Sequence, residues 1–135
     1  MIIKRAERGK DTSGLLYYLW GPGRANEHID PHMVAAWDPA VVQRCEPSQG
    51  GSLPALAKLL DVPVYALESR RPPQHVHHIA VRLAPEDRAL SDAEWAEVAR
   101  EILDAAGVAR RNDPLGCRWI AMRHADDHIH IVATL

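Results

Sequence analysis

Three histidines fall within seven residues near the end of the chain: His124, His128 and His130, in Arg123-His124-Ala125-Asp126-Asp127-His128-Ile129-His130-Ile131-Val132. Residues 128–133 alternate with a period of two, as a strand does. His128 and His130 therefore share one face, and Ile129 and Ile131 share the other. Trp119-Ile120-Ala121-Met122-Arg123 also reads as a strand, and Ala125-Asp126-Asp127 is a plausible three-residue hairpin loop. Such a loop sets His124 opposite His128, and directly opposed residues share a face. Three neutral imidazoles at one spot make a divalent-metal site with room for a further ligand. A lone strand histidine is ordinarily structural. The same-face pair, the third histidine at the hairpin mouth and the two aspartates beside it tip the reading towards a metal centre.

The elements that must position this hairpin come next. Residues 1–5 read as a short strand. Asp11-Thr12-Ser13 offers helix caps ahead of Gly14-Leu15-Leu16-Tyr17-Tyr18-Leu19-Trp20, and Gly21-Pro22-Gly23 stops that helix. Leu15, Leu16, Leu19 and Trp20 form its apolar arc, with Tyr17 and Tyr18 on the two flanks. Asp30-Pro31 predicts a short helix over residues 32–37, with Asp30 as N-cap and Pro31 in the first helical position. His28 and His32 read as loop and helix-surface residues. Asp38-Pro39 adds a further turn. Ser52 caps a helix over residues 53–60, which Pro63 closes. Arg70-Arg71-Pro72-Pro73 is a stiff basic link. Residues 74–83 are a strand, with His77, Ile79 and Val81 on one face and Val76, His78, Ala80 and Arg82 on the other. Ser91 with Glu94 forms a capping box, opening a helix with a Trp95, Val98, Ala99, Ile102, Ala106 stripe and Gly107 at its end. These short connections predict an α+β fold: a central antiparallel sheet with helices packed on one face.

The totals restrict what the chain does. Its 135 residues form one expected domain, residues 1–135, which ends directly after a strong strand and so reads as cut from a longer protein. No apolar run approaches the roughly 18 residues of a membrane span, and residues 1–5 do not make a signal peptide. Cys45 and Cys117 form no disulfide framework, which points to a reducing, cytoplasmic setting. The formal net charge is −2, so any nucleic-acid binding must rest on local arginines.

The stretch from His124 to Val132 resembles the third motif of plasmid mobilisation relaxases, and His128-Ile129-His130 resembles the His-hydrophobic-His core of the wider HUH endonuclease superfamily. Two more parts resemble that family in order: Tyr17-Tyr18-Leu19 its nucleophile motif, and His77-His78-Ile79-Ala80-Val81 with Leu90-Ser91-Asp92-Ala93-Glu94 its central strand and helix. In relaxases the tyrosine precedes the histidines, as here; in rolling-circle initiators it follows. The four-residue step from His124 to His128 is shorter than in many relaxases and requires a compact hairpin.

The resemblance implies an HUH relaxase-like fold and a nuclease of conjugative mobilisation in the bacterial cytoplasm. Its substrate would be single-stranded DNA at a plasmid transfer origin, with accessory relaxosome proteins as partners. A tyrosine, Tyr18 by its aliphatic follower or else Tyr17, would attack the scissile phosphate and form a 5′-phosphotyrosine link. His124, His128 and His130 would hold a divalent ion, Mg²⁺ or Mn²⁺, to offset developing charge. Asp126, or alternatively Asp127, would fix an imidazole tautomer. Arg82, Arg123, Arg70 and Arg71 are the candidate DNA contacts. The competing readings are a histidine-metal hydrolase that does not act on DNA and a non-catalytic DNA-binding accessory module derived from a relaxase.

Overall fold

A computed structural model describes residues 1–24 and 27–135. It is an α+β fold: five strands in one antiparallel sheet, with four α-helices. The strands are β1 (Ile2–Arg5), β2 (His32–Ala36), β3 (Val76–Arg82), β4 (Arg118–Ala125) and β5 (His128–Thr134); the helices are α1 (Thr12–Trp20), α2 (Pro39–Cys45), α3 (Leu53–Tyr65) and α4 (Asp92–Ala105). The sheet order is β1-β3-β5-β4-β2, which puts the His128–His130 strand in the middle. Among the described residues no helix is long and apolar enough to cross a membrane.

Both faces of the sheet are covered, not one as the short connections suggest. Leu16, Leu19, Leu56 and Leu60 of α1 and α3 pack on Val76, Ile120, Met122 and Val132. On the other face Trp95, Ala96, Ala99 and Leu103 of α4 pack on Ile79, Val81, Ile129 and Ile131. The central strands carry apolar side chains at both parities, so each face demands a cover.

Local signals set most of the helices. Asp11 caps α1 through Gly14 N–H, and Ser91 and Glu94 form the reciprocal capping box of α4. Gly107 follows α4 with φ 71°, the left-handed conformation that a helix C-terminus favours in glycine. Two elements differ from the sequence reading. Residues 32–36 form strand β2, not a helix, because they pair with β4. The Met33 N–H is taken by the buried carboxylate of Glu46. The second difference is that α3 does not stop before Pro63 but runs through it to Tyr65. Proline cannot bond the Leu59 carbonyl one turn back, and the Arg118 guanidinium takes that carbonyl instead, at 2.6 Å.

Candidate metal centre

The β4–β5 turn brings the three histidines together with a geometry slightly different from a three-residue loop. Ala125 pairs with His128 across a two-residue turn, while Arg123 pairs with Ile129. His124 is therefore the extra residue of a β-bulge. It keeps the parity of Met122 and so stays on the face of His128 and His130. Its backbone carbonyl, which the ladder leaves over, accepts from Ile29 N–H at 2.7 Å. The bulge is how a four-residue histidine step fits a compact hairpin.

The three rings meet through their Nε2 atoms. His124 Nε2 lies 3.1 Å from His128 Nε2 and 3.0 Å from His130 Nε2. One ligand atom from each of the three lies within 4.8 Å of the others, so the group can hold a metal ion. Bonds of about 2.0–2.1 Å from a common centre put neighbouring imidazole nitrogens roughly 3 Å apart. Nδ1 of His124 faces the Leu19 carbonyl at 2.9 Å, an acceptor only, so it carries the proton. Nδ1 of His128 faces the Asp127 carboxylate at 2.8 Å and donates likewise. Both Nε2 atoms of the neutral rings then present lone pairs to each other. Such pairs repel unless a cation stands between them.

Their surroundings hold two of the three rings towards the neutral form. Burial lowers the His124 pKa, helped by the neighbouring His28 and His128 and opposed by the Leu19 carbonyl. His130 is lowered to about 2, by burial first and then by the charges that His78, His124, His128 and His28 would carry. A metal ion satisfies the same lone pairs without protonating a buried ring.

Two more histidines belong to the cluster and escaped the sequence reading. His78 on β3 has its Nε2 2.8 Å from His130 Nδ1. Its pKa is lowered by burial. His28 is no solvated loop residue: its side chain is 4% exposed. Its ring stacks on His124 with centroids 3.6 Å apart and planes at 17°, and its Nδ1 donates to the Gly21 carbonyl at 2.9 Å. The alternation of residues 74–83 put His78 on a face with Val76, but only the β3–β5 register joins it to His130. No local pattern marks His28.

The other predicted site residues divide. Tyr18 meets His28 edge-on, with centroids 5.2 Å apart and planes at 81°, so it stands beside the histidines. Tyr17 is 54% exposed and has no ring contact or side-chain hydrogen bond among the described residues. The carboxylate on an imidazole is that of Asp127; the Asp126 side chain is fully exposed, 3.9 Å from Arg123. His128 holds the Asp127 pKa below the usual range, with Arg82 assisting. Arg82 reaches that carboxylate at 3.2 Å, at the edge of the centre. Arg123 lies on the opposite face, bonded to Asp92 and to the carbonyls of Ala125 and Asp126, where it fixes the turn. Arg70 and Arg71 lie ahead of the β3 end that pairs with Thr134, the far end from His128. Arg71 there covers the Tyr65 ring.

No protein-family model matches the chain, and neither does any curated protein or solved structure.

Proposed function

We propose that this chain is a metal-dependent strand transferase that nicks single-stranded DNA at a plasmid transfer origin in conjugative mobilisation. The reading rests on one observation: the Nε2 atoms of His124, His128 and His130 converge beside the helix that bears Tyr18, with His28 packed against both. His124, His128 and His130 would hold a divalent ion, which when bound would supply Lewis-acid polarisation of the scissile phosphate and offset its developing charge. The Tyr18 oxygen attacks phosphorus, forming a 5′-phosphotyrosine bond as the bond to the 3′ oxygen breaks; the phenolic proton ends on the freed 3′-hydroxyl. The covalent link conserves the phosphodiester energy for rejoining. Asp127 and the Leu19 carbonyl hold His128 and His124 in the tautomer that points Nε2 inward. Of the two ions expected, Mn²⁺ tolerates nitrogen ligands better than Mg²⁺ does, and a borderline ion such as Zn²⁺ suits an all-imidazole set better than either.

The test is incubation with transfer-origin oligonucleotides and Mn²⁺, followed by denaturing electrophoresis. A denaturation-resistant protein–DNA adduct, lost in Tyr18→Phe while metal affinity persists, supports the reading. An adduct of wild-type strength in Tyr18→Phe overturns the assignment of Tyr18. Metal-dependent DNA binding without an adduct marks the accessory module. Hydrolysis of other substrates, independent of Tyr18, marks the hydrolase.

A further inference from the structure

A second cleft lies at the other end of the sheet and on its other face. Trp119, which lines it, pairs with Ala133, whereas His128 and His130 pair towards the turn. The cleft holds about 750 Å³ between α4, the start of β4 and the loop of residues 109–117. That volume falls within the roughly 300–1,000 Å³ of small-ligand sites. Its walls include Trp37, Trp119, Arg100, Arg110, Asn112 and Asp113.

The charges are set out for an anion. Among the described residues neither the Arg100 nor the Arg110 guanidinium has an ion pair or a hydrogen bond. A third arginine of the wall, Arg111, is already paired with Glu97. The acid of the wall, Asp113, turns its carboxylate to the Leu115 N–H at 2.9 Å. Two unpaired guanidiniums beside a cavity match phosphate oxygens, which they bind through paired N–H donors. Half-buried Trp37 and the largely buried Trp119, 7% exposed, add apolar lining against which a base can pack. The Arg118 guanidinium lies 5.2 Å from the Trp37 ring.

We propose that this cleft binds a nucleotide unit, its base against the Trp37 and Trp119 walls and its phosphate on Arg100 and Arg110. The unit is either a free nucleoside 5′-monophosphate or one residue of a single strand; the recognising chemistry is the same. The site is separate from the histidine centre and stands whether or not that centre cuts DNA.

The experiment titrates the full chain, with EDTA present, with deoxynucleoside 5′-monophosphates, a short single-stranded oligonucleotide and its abasic counterpart. Tryptophan fluorescence is the readout. The expected result is a saturable change that weakens on the order of tenfold or more in Arg100→Gln/Arg110→Gln, a variant whose circular dichroism matches wild type. Saturation by the monophosphate identifies free nucleotide as the ligand, and saturation by the oligonucleotide alone identifies the strand; both support the site. No saturable binding, equal binding of the abasic strand, or binding untouched by the arginine substitutions overturns it.

Discussion

Nδ1 of His124 lies 2.9 Å from the carbonyl oxygen of Leu19, so a candidate metal ligand is oriented by the helix that carries the tyrosines. This contact ties α1, and with it Tyr18 next to Leu19, to the candidate metal centre. Asp127 does for His128 what Leu19 does for His124, and it is in turn braced by Arg82. Removing a carboxylate that orients a metal-bound imidazole lowers affinity by about 10–100-fold. Asp127→Ala is expected to weaken Mn²⁺ or Zn²⁺ binding to that degree in a competition titration. Asp126→Ala, whose side chain points away into solvent, is expected to leave it unchanged. Equal effects of the two substitutions would show that the turn, and not the Asp127 carboxylate, organises the site.

Arg118 makes a second long-range tie. It occupies the Leu59 carbonyl that Pro63 leaves over, which lets α3 continue to Tyr65. Arg118→Ala is expected to cost about 1 kcal/mol in chemical denaturation. Pro63→Ala restores a backbone donor for that carbonyl, so in its background the cost of Arg118→Ala should shrink. A double-mutant cycle reads this coupling directly. The Arg118–Trp37 contact is present in both backgrounds and cancels. Strict additivity would show that the guanidinium does not replace the missing helix bond.

These ties explain which parts of the molecule were legible in the sequence. The α4 helix was, because its capping box, apolar stripe and terminal glycine all lie within the element. The hairpin was, because strand parity alone puts His128 and His130 on one face. Strand β2 was not: Asp30-Pro31 imitates a helix start, and the pairing that makes residues 32–36 extended comes from β4. Pro63 reads as a helix stop because its compensation comes from Arg118, far along the chain. The candidate metal centre was half legible for the same reason. The three histidines that could hold an ion are local in sequence, whereas His78 and His28 reach them only through sheet register and linker packing.

His32 gives a pH-dependent tie between β2 and α4. Its Nδ1 faces the Asp30 carbonyl at 2.6 Å and its Nε2 the Asp92 carboxylate at 2.9 Å, so both nitrogens donate and the ring is an imidazolium. Burial opposes that charge, but the Asp30 carbonyl and Asp92 outweigh it and raise the pKa above 6.5. A raised folded-state pKa means the stabilisation is full below the unfolded value and fades as pH rises through the folded one. The pair is partly exposed, so its worth is about 0.2–1 kcal/mol. His32→Gln should therefore destabilise the chain at about pH 5.5 and have little effect at about pH 8.5. A pH-independent difference in unfolding free energy would show that the imidazolium is not the operative form.

The N-terminal end of α1 rests on a buried polar chain. Thr12 donates its hydroxyl proton to Asp61 at 2.7 Å and accepts from His75 Nε2 at 3.2 Å. Asp61 is 6% exposed, and burial raises its pKa above 3.8 against the lowering effects of Thr12 and His75. The carboxylate charge is thus a cost that sets in as pH rises above the unfolded value of 3.8 and is complete above the folded-state pKa, and the Thr12 hydrogen bond reduces it. Thr12→Val keeps the side-chain shape and removes that donor. The expected loss is about 1–3 kcal/mol at neutral pH, the cost of a buried acceptor left without its partner. The loss should be smaller below pH 3.8, where the raised pKa leaves Asp61 mostly protonated and no longer in need of the donor. Urea unfolding of wild type and variant at the two pH values measures this. A loss that is equal at both, or larger in acid, would mean that Thr12 seats α1 by packing and not by stabilising the Asp61 carboxylate.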